Sequence, residues 1–288
     1  MTLTLKERLM RPGLIQVPGA FDALGALLVE QAGFEAVYVS GAGLAYTQLG
    51  RPDLGLVYPD ELLAQVERIT DRVRIPVIVD ADTGFGGVLN IQRIVRALDR
   101  YGVSAIQIED QVFPKRCGHL DGKEVVPEEE MIARIRAAID TRSRNDLLVI
   151  ARTDAVAVQG LQSALYRLQA YREAGADVLF VDAPTDRAMM ARIVQAAQPL
   201  PAMANMVEGG KTPILSASEL EAIGFRLAIY PNSLTRRMVY AARDLLVHLK
   251  EQGTTDTVGD VMVQFAELNQ LLGRAELAAL EDRWKYTR

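Results

Sequence analysis

The chain has 288 residues, 49% of them hydrophobic and 24% charged, with a net charge of −5. That length is enough to bury a large core as one big domain or two small ones, and the lack of a long basic run speaks against a nucleic-acid partner. No apolar run approaches the roughly 20 residues of a membrane span, and residues 1–11 carry no secretory leader pattern, so a cytoplasmic protein with no membrane partner is expected.

Strand and helix patterns alternate along the chain. Short apolar strand candidates fall at 14–17, 36–39, 77–79, 105–108, 148–151, 178–181, 202–204 and 227–229. None alternates cleanly, as expected of parallel strands covered on both faces. Helical spacing of apolar residues fills 20–32, 60–71, 90–101, 127–141, 161–174, 186–197 and 216–223. Gly33, Gly102, Gly175 and Gly224 each follow a helix and precede a strand, where glycine takes the left-handed C-cap conformation. Pro127 before Glu128-Glu129-Glu130 suits a helix N-terminus.

Eight such steps predict an α/β fold, a (β/α)8 TIM barrel, as one domain over 1–288. The alternative is an open doubly wound sheet, but no Gly-x-Gly-x-x-Gly follows the first strand. Further helices are predicted at 234–250, 258–273 and 276–284, more than a closed barrel needs. The segment 234–288 is therefore expected to extend the barrel or to pack on a partner subunit.

A barrel gathers its chemistry at the C-terminal ends of its strands. There the chain places Ser40-Gly41-Ala42-Gly43, Asp80-Ala81-Asp82, Glu109-Asp110, Arg152-Thr153-Asp154, Asp182, Asn205 and Pro231-Asn232-Ser233. Asp80, Asp82, Glu109 and Asp110 would repel one another if left alone. A hard divalent cation, Mg²⁺ or Mn²⁺, resolves that repulsion with oxygen ligands only. The alternative is that they cap helices and pair with arginines. Ser40 to Gly43 reads either as an anion cradle or as a tight turn. Arg152 ends a buried strand and needs an anion: Asp154, Asp182 or a substrate carboxylate.

Cys117 is the only cysteine. It stands in Lys115-Arg116-Cys117-Gly118-His119, where positive charge favours a thiol that holds or delivers a proton. The glycines of that loop allow it to close over a substrate; a static surface loop is the alternative. Acid–base use of the thiol is simpler than a Cys117–His119 nucleophilic pair.

These motifs together identify the chain as resembling the isocitrate lyase and phosphoenolpyruvate mutase superfamily. The resemblance rests on Lys115 to His119, Asp80-Ala81-Asp82-Thr83-Gly84-Phe85-Gly86, Ile108-Glu109-Asp110-Gln111 and Ala151-Arg152-Thr153-Asp154-Ala155. Within it, the 2-methylisocitrate lyase, dimethylmalate lyase/oxaloacetate hydrolase and carboxyphosphonoenolpyruvate mutase groups are nearest. The resemblance implies a barrel whose last helix is exchanged between subunits of a dimer or tetramer. It implies Mg²⁺ held by Asp82, with Asp80 and Glu109 reaching it directly or through water. Tyr38, Ser40, Gly41, Gly43 and Arg152 would surround a small carboxylate substrate, with Asp53, Lys115, Gly118, Asp182, Asn205, Asn232 and Ser233 completing its contacts.

The implied reaction is carbon–carbon cleavage of a 2-hydroxy di- or tricarboxylate to a keto acid and a second carboxylate. Cys117 supplies the final proton, Arg116 and His119 stabilise developing charge, and the base is Tyr38 or a metal-bound hydroxide. A 2-methylisocitrate-like substrate leads. The alternatives are cleavage of dimethylmalate, hydrolysis of oxaloacetate, carboxyphosphonoenolpyruvate mutase chemistry and a non-catalytic binding protein. Three features depart from the methylisocitrate pattern and bear on the substrate: Asp182 in place of a usual glutamate, the segment from Asn205 to Pro213, and Asn232 in place of an apolar residue.

Overall fold

The computed structural model describes residues 3–118 and 122–285. Eight parallel strands close into a barrel in chain order: β1 (Ile15–Ala20), β2 (Val37–Val39), β3 (Val77–Asp80), β4 (Ala105–Glu109), β5 (Leu148–Thr153), β6 (Val178–Val181), β7 (Ala202–Asn205) and β8 (Leu227–Tyr230). Closure runs through β1 and β8, with Ile15 beside Leu227 and Val17 beside Ile229. The eight strand candidates are all present. Several extend one or two residues further than apolarity alone suggests, because the backbone ladder does not depend on side-chain polarity. Asp80, Glu109 and Asn205 are thus the last rungs of their strands and Arg152 the last but one, and Glu109 pairs in register with Arg152.

The helices in chain order are α1 (Leu5–Leu9), α2 (Ala23–Gln31), α3 (Gly41–Leu44), α4 (Pro59–Arg72), α5 (Val88–Arg100), α6 (Glu128–Thr141), α7 (Ala155–Gln159), α8 (Leu161–Glu173), α9 (Arg187–Ala197) and α10 (Ala217–Ile223). After β8 come α11 (Ser233–Gln252), α12 (Phe265–Leu271) and α13 (Arg274–Arg283). Helix α5 shows why these segments fold as they do. Its buried Ile91, Ile94, Val95 and Leu98 recur at three- and four-residue spacing and form one apolar stripe. Each such fully buried side chain contributes about 1.5–3 kcal/mol.

Two buried clusters follow from strand alternation. Val17, Tyr38, Ile78, Ala105, Ile150, Phe180, Met203 and Ile229 belong to the cluster that fills the barrel. Val39, Val79, Ile106, Ala151, Val181 and Ala204 belong to the larger cluster between strands and helices. Successive side chains point to opposite faces. The inward rows therefore continue to the rim as Ser40, Asp80, Gln107 with Glu109, Arg152, Asp182 and Asn205.

The chain divides into two units, Met1–Arg236 and Arg237–Arg288. No described residue of the second unit is buried. The helix expected over 258–273 is interrupted: a 3₁₀ turn (Asp256–Val261) gives way to extended backbone at Met262 and Gln264 before α12 begins. Among the described residues, no helix is long and apolar enough to cross a membrane.

Candidate active site

The rim residues enclose a cavity of about 40 Å³, lined among others by Tyr38, Ser40, Asp80, Lys115, Cys117 and Arg152. That is room for about three water molecules. Asp53, Gly118, Asn205 and Asn232 line it as well. The loop after β4 thus brings the thiol to the carboxylate-bearing strand ends.

Lys115 anchors the loop there. Its Nζ lies 2.6 Å from Asp53 Oδ1 and 2.8 Å from Asp82 Oδ1, with both partners buried. Burial works to remove the ammonium proton, but Asp82, Asp53, Glu109 and Asp80 together outweigh it and hold Lys115 well above its ordinary value. Burial, reinforced by the Asp80 and Asp53 charges, pushes Asp82 up to about 7 even against Lys115. Burial is also the main reason that Glu109 lies well above the usual carboxylate range. Asp82 has left-handed backbone, φ 48°, an unfavourable conformation for a non-glycine residue of the kind that clusters at functional sites.

These carboxylates suit an oxygen-liganded cation. Glu109 Oε1 has no hydrogen-bond partner, and Asp82 Oδ1 has only its ion pair with Lys115. Asp80 and Asp82 converge over Gly41, where an added methyl would meet Asp82 Oδ1 at 3.2 Å and Asp80 Oδ2 at 3.4 Å. Among the described residues, no group of three His, Cys, Asp or Glu side chains is yet close enough to hold an ion as it stands. The Lys115 ammonium supplies the positive charge instead.

Arg152 is saturated by protein carboxylates. It contacts Asp154 Oδ2 at 2.9 Å, Glu109 Oε2 at 3.2 Å and Asp182 Oδ2 at 3.2 Å. A substrate carboxylate is not needed to balance its charge, although Arg152 still lines the cavity. Asp182 is equally committed, since its other oxygen accepts from Asn205 Nδ2 at 3.0 Å. Burial alone would raise Asp154, but Arg152 and Lys123 bring it down to about 2. Lys123 Nζ in turn donates to the Gly118 carbonyl and lies 2.8 Å from Asp154 Oδ1. Gly118 packs so closely on this cluster that a β-carbon would sit 1.6 Å from Asp182 Oδ2 and 2.6 Å from Arg152 Nη2.

Tyr38 donates its hydroxyl proton to Gln107 Oε1 at 3.0 Å, and Gln107 Nε2 donates to Asp80 Oδ1 at 3.0 Å. Burial and the Asp80 charge hold the phenol well above its ordinary value. Tyr38 therefore keeps its proton at neutral pH and is not a ready base. The Ser40 hydroxyl accepts from the Gly43 backbone N–H at 3.1 Å and reaches Asn232 Oδ1 at 3.4 Å. Ser40 to Gly43 is thus the capped start of a helix, with one of its N–H groups already used.

The chain matches the family model for phosphoenolpyruvate phosphomutase over residues 5–250. It is 43% identical to the 2,3-dimethylmalate lyase of Eubacterium barkeri over 97% of this chain and 96% of that protein. The chain belongs to the phosphoenolpyruvate mutase and isocitrate lyase superfamily. It is also 44% identical to the 2-methylisocitrate lyase of Salmonella typhimurium strain LT2, over 91% of this chain and 89% of that one. A structure of oxaloacetate acetylhydrolase in complex with the inhibitor 3,3-difluorooxalacetate superimposes with a TM-score of 0.92 at 34% identity, covering 97% of this chain and 95% of the other. The chain is accordingly an enzyme, of the lyase kind that its relatives represent.

For this superfamily member, not every residue expected at the site lies there. Ser233 donates its hydroxyl to Glu208 and does not line the cavity. The Arg116 side chain lies outside it too: its Nη1 would be 2.8 Å from a β-carbon on Gly122. Asp110 points outward, accepting from Thr153 Oγ1 at 2.6 Å, Tyr171 at 2.7 Å and Arg167 at 3.0 Å. It is one residue out of phase with Glu109, so it faces the helices. His119 falls outside the described residues. Gln107 and Lys123 were not anticipated. Gln107 was visible as a polar residue on the inward face of an otherwise apolar strand, whereas Lys123 carried no local signal.

Proposed function

We propose that this enzyme is a Mg²⁺-dependent lyase that breaks the C2–C3 bond of a small substituted 2-hydroxy dicarboxylate. The observation that carries this reading is the Cys117 thiol on the same buried cavity as Asp80, Tyr38 and Arg152. Cleavage next to a hydroxyl passes the hydroxyl proton to a base, for which the Asp80 carboxylate lies on the same cavity, and leaves an electron pair at C3, delocalised into the attached carboxylate. That fragment needs a proton, and Cys117 is placed to give it. Asp82, with Asp80 and Glu109, would hold the Mg²⁺, which supplies Lewis-acid polarisation of the substrate oxygen. Lys115 and Arg152 keep positive charge around the developing anion, and the packed Gly118 backbone helps exclude water.

Within this class a substituted malate such as 2,3-dimethylmalate leads, because the chain is similar to a 2,3-dimethylmalate lyase over 97% of its own length. The likeness to an oxaloacetate acetylhydrolase structure supports a second reading, hydrolysis of oxaloacetate to oxalate and acetate. Assays with Mg²⁺ on 2,3-dimethylmalate, 2-methylisocitrate, isocitrate, oxaloacetate and phosphonopyruvate separate these readings. Pyruvate from the first supports the lead assignment. Oxalate from oxaloacetate moves it to hydrolysis, and turnover of phosphonopyruvate alone moves it to phosphonate chemistry.

We also infer that the enzyme works as a homodimer or tetramer, with the helices after β8 packing on a partner copy. The second unit supports this through its own surface: Tyr240, Leu246, Phe265, Leu277 and Trp284 are all more than 60% exposed. Apolar groups exposed in such number are characteristic of an interface.

A further inference from the structure

We infer that Gln107 is a positioning residue that fixes the direction of the Tyr38 proton, so that the cavity wall accepts a hydrogen bond from a 2-hydroxyl and disfavours a 2-oxo group. This deepens the lyase reading above and rests on the same site.

Donors and acceptors run in a chain from Asp80 to Tyr38. Asp80 Oδ1 accepts from the Asp82 backbone N–H at 3.2 Å. A backbone N–H can only donate, so that oxygen is an acceptor. Gln107 approaches the same oxygen at 3.0 Å and must present its NH₂ there. Its carbonyl oxygen then faces Tyr38, whose hydroxyl lies 3.0 Å away and must donate. Gln107 is fully buried and does not line the cavity, so within the protein the Tyr38 hydroxyl is its partner, while Tyr38 keeps one side toward the cavity. A phenol has one proton, and here it is spent. What Tyr38 offers the cavity is lone pairs.

A substrate hydroxyl can donate to those lone pairs. A 2-oxo oxygen would face them with lone pairs of its own. A site built around one polarity discriminates strongly against a partner that lacks it, because the buried group is left unpaired. Neither residue needs to change charge for this selection to operate.

The test uses non-reacting acids and so does not depend on turnover. Binding of L- and D-lactate and of pyruvate to the full-length enzyme with Mg²⁺ is measured by calorimetry, for wild type, Gln107→Met, Tyr38→Phe and the double variant. Gln107→Met removes both amide groups at similar length and takes away the acceptor that holds the Tyr38 proton. The expected result is that wild type prefers one lactate enantiomer over pyruvate by about tenfold, and that either single variant brings the ratio close to one. The double variant should do no more than either single one, as for two residues acting through one hydrogen bond.

Equal losses for both acids in Gln107→Met would mark a purely structural role and overturn the proposal. A wild-type preference for pyruvate, or no measurable binding of either acid, would overturn it as well. Tyr38→Phe reads the same ratio should Gln107→Met fail to fold. Because no bond is broken, the proposal can fail while substituted malates are still cleaved, and the lyase reading can fail while the preference stands.

Discussion

The residue scale decides the chemistry, and Cys117 is its sharpest test. Replacing Cys117 by Ser removes the acidic proton while keeping a small polar side chain. Turnover should fall by at least about 10²-fold with KM little changed, read from steady-state kinetics. Asp82 makes a second prediction, in pH. Its carboxyl is pushed from 3.8 up to about 7, chiefly by burial, so below that pH an incoming cation has to displace a proton. The apparent Mg²⁺ affinity should weaken up to about tenfold per pH unit below about 7 and level off above it, by metal titration at several pH values. In the metal-free protein the native state holds that proton where the unfolded chain has released it, so the Asp82 contribution to stability falls as pH rises from about 4 to about 7. Much of this scale was legible. Asp80, Asp82, Glu109 and Arg152 were picked out by being ionisable at the ends of apolar strands. What the sequence did not disclose was commitment. Arg152 and Asp182 each look available for substrate, yet each is already paired within the protein, and such pairing depends on contacts 30 residues apart in the chain.

At the scale of elements, strand parity organises the site. A polar residue in phase with the inward apolar positions reaches the cavity, and its neighbour reaches the helices. Glu109 and Asp110 are adjacent in sequence and end on opposite faces for this reason alone. The barrel and the order of its strands were legible because apolar strands, helical spacing and glycine caps all agree. The helix expected over 258–273 is interrupted by extended backbone at Met262 and Gln264, a break that apolar spacing alone does not register. The loop after β4 offers a direct test. Gly118 has no room for a side chain against Asp182 and Arg152. Gly118→Ala should lower kcat/KM by about 10²-fold through displacement of the neighbouring thiol, and should lower Tm as well, because the buried Asp182–Arg152 pair has to shift. Gly87→Ala meets nothing within 4 Å and should leave kcat/KM within about twofold and Tm nearly unchanged.

At the scale of the whole molecule, the barrel unit has its own buried core, and the second unit exposes apolar side chains along its helices. Sedimentation velocity at micromolar concentration should give at least twice the mass of one chain. The paired substitution Phe265→Glu with Leu277→Glu should shift the distribution toward single chains. No sequence pattern sets the number of copies, because a surplus of helices carries no symmetry. The central claim is that the cavity at the top of the barrel cleaves a carbon–carbon bond next to a hydroxyl. Its most direct test is pyruvate formation from 2,3-dimethylmalate, followed with and without Mg²⁺, alongside oxalate formation from oxaloacetate. The account predicts Mg²⁺-dependent pyruvate release matched one to one by propionate, abolished by chelation and faster than any oxalate release. Oxalate release with no cleavage of 2,3-dimethylmalate or any other hydroxy acid in the panel would contradict it.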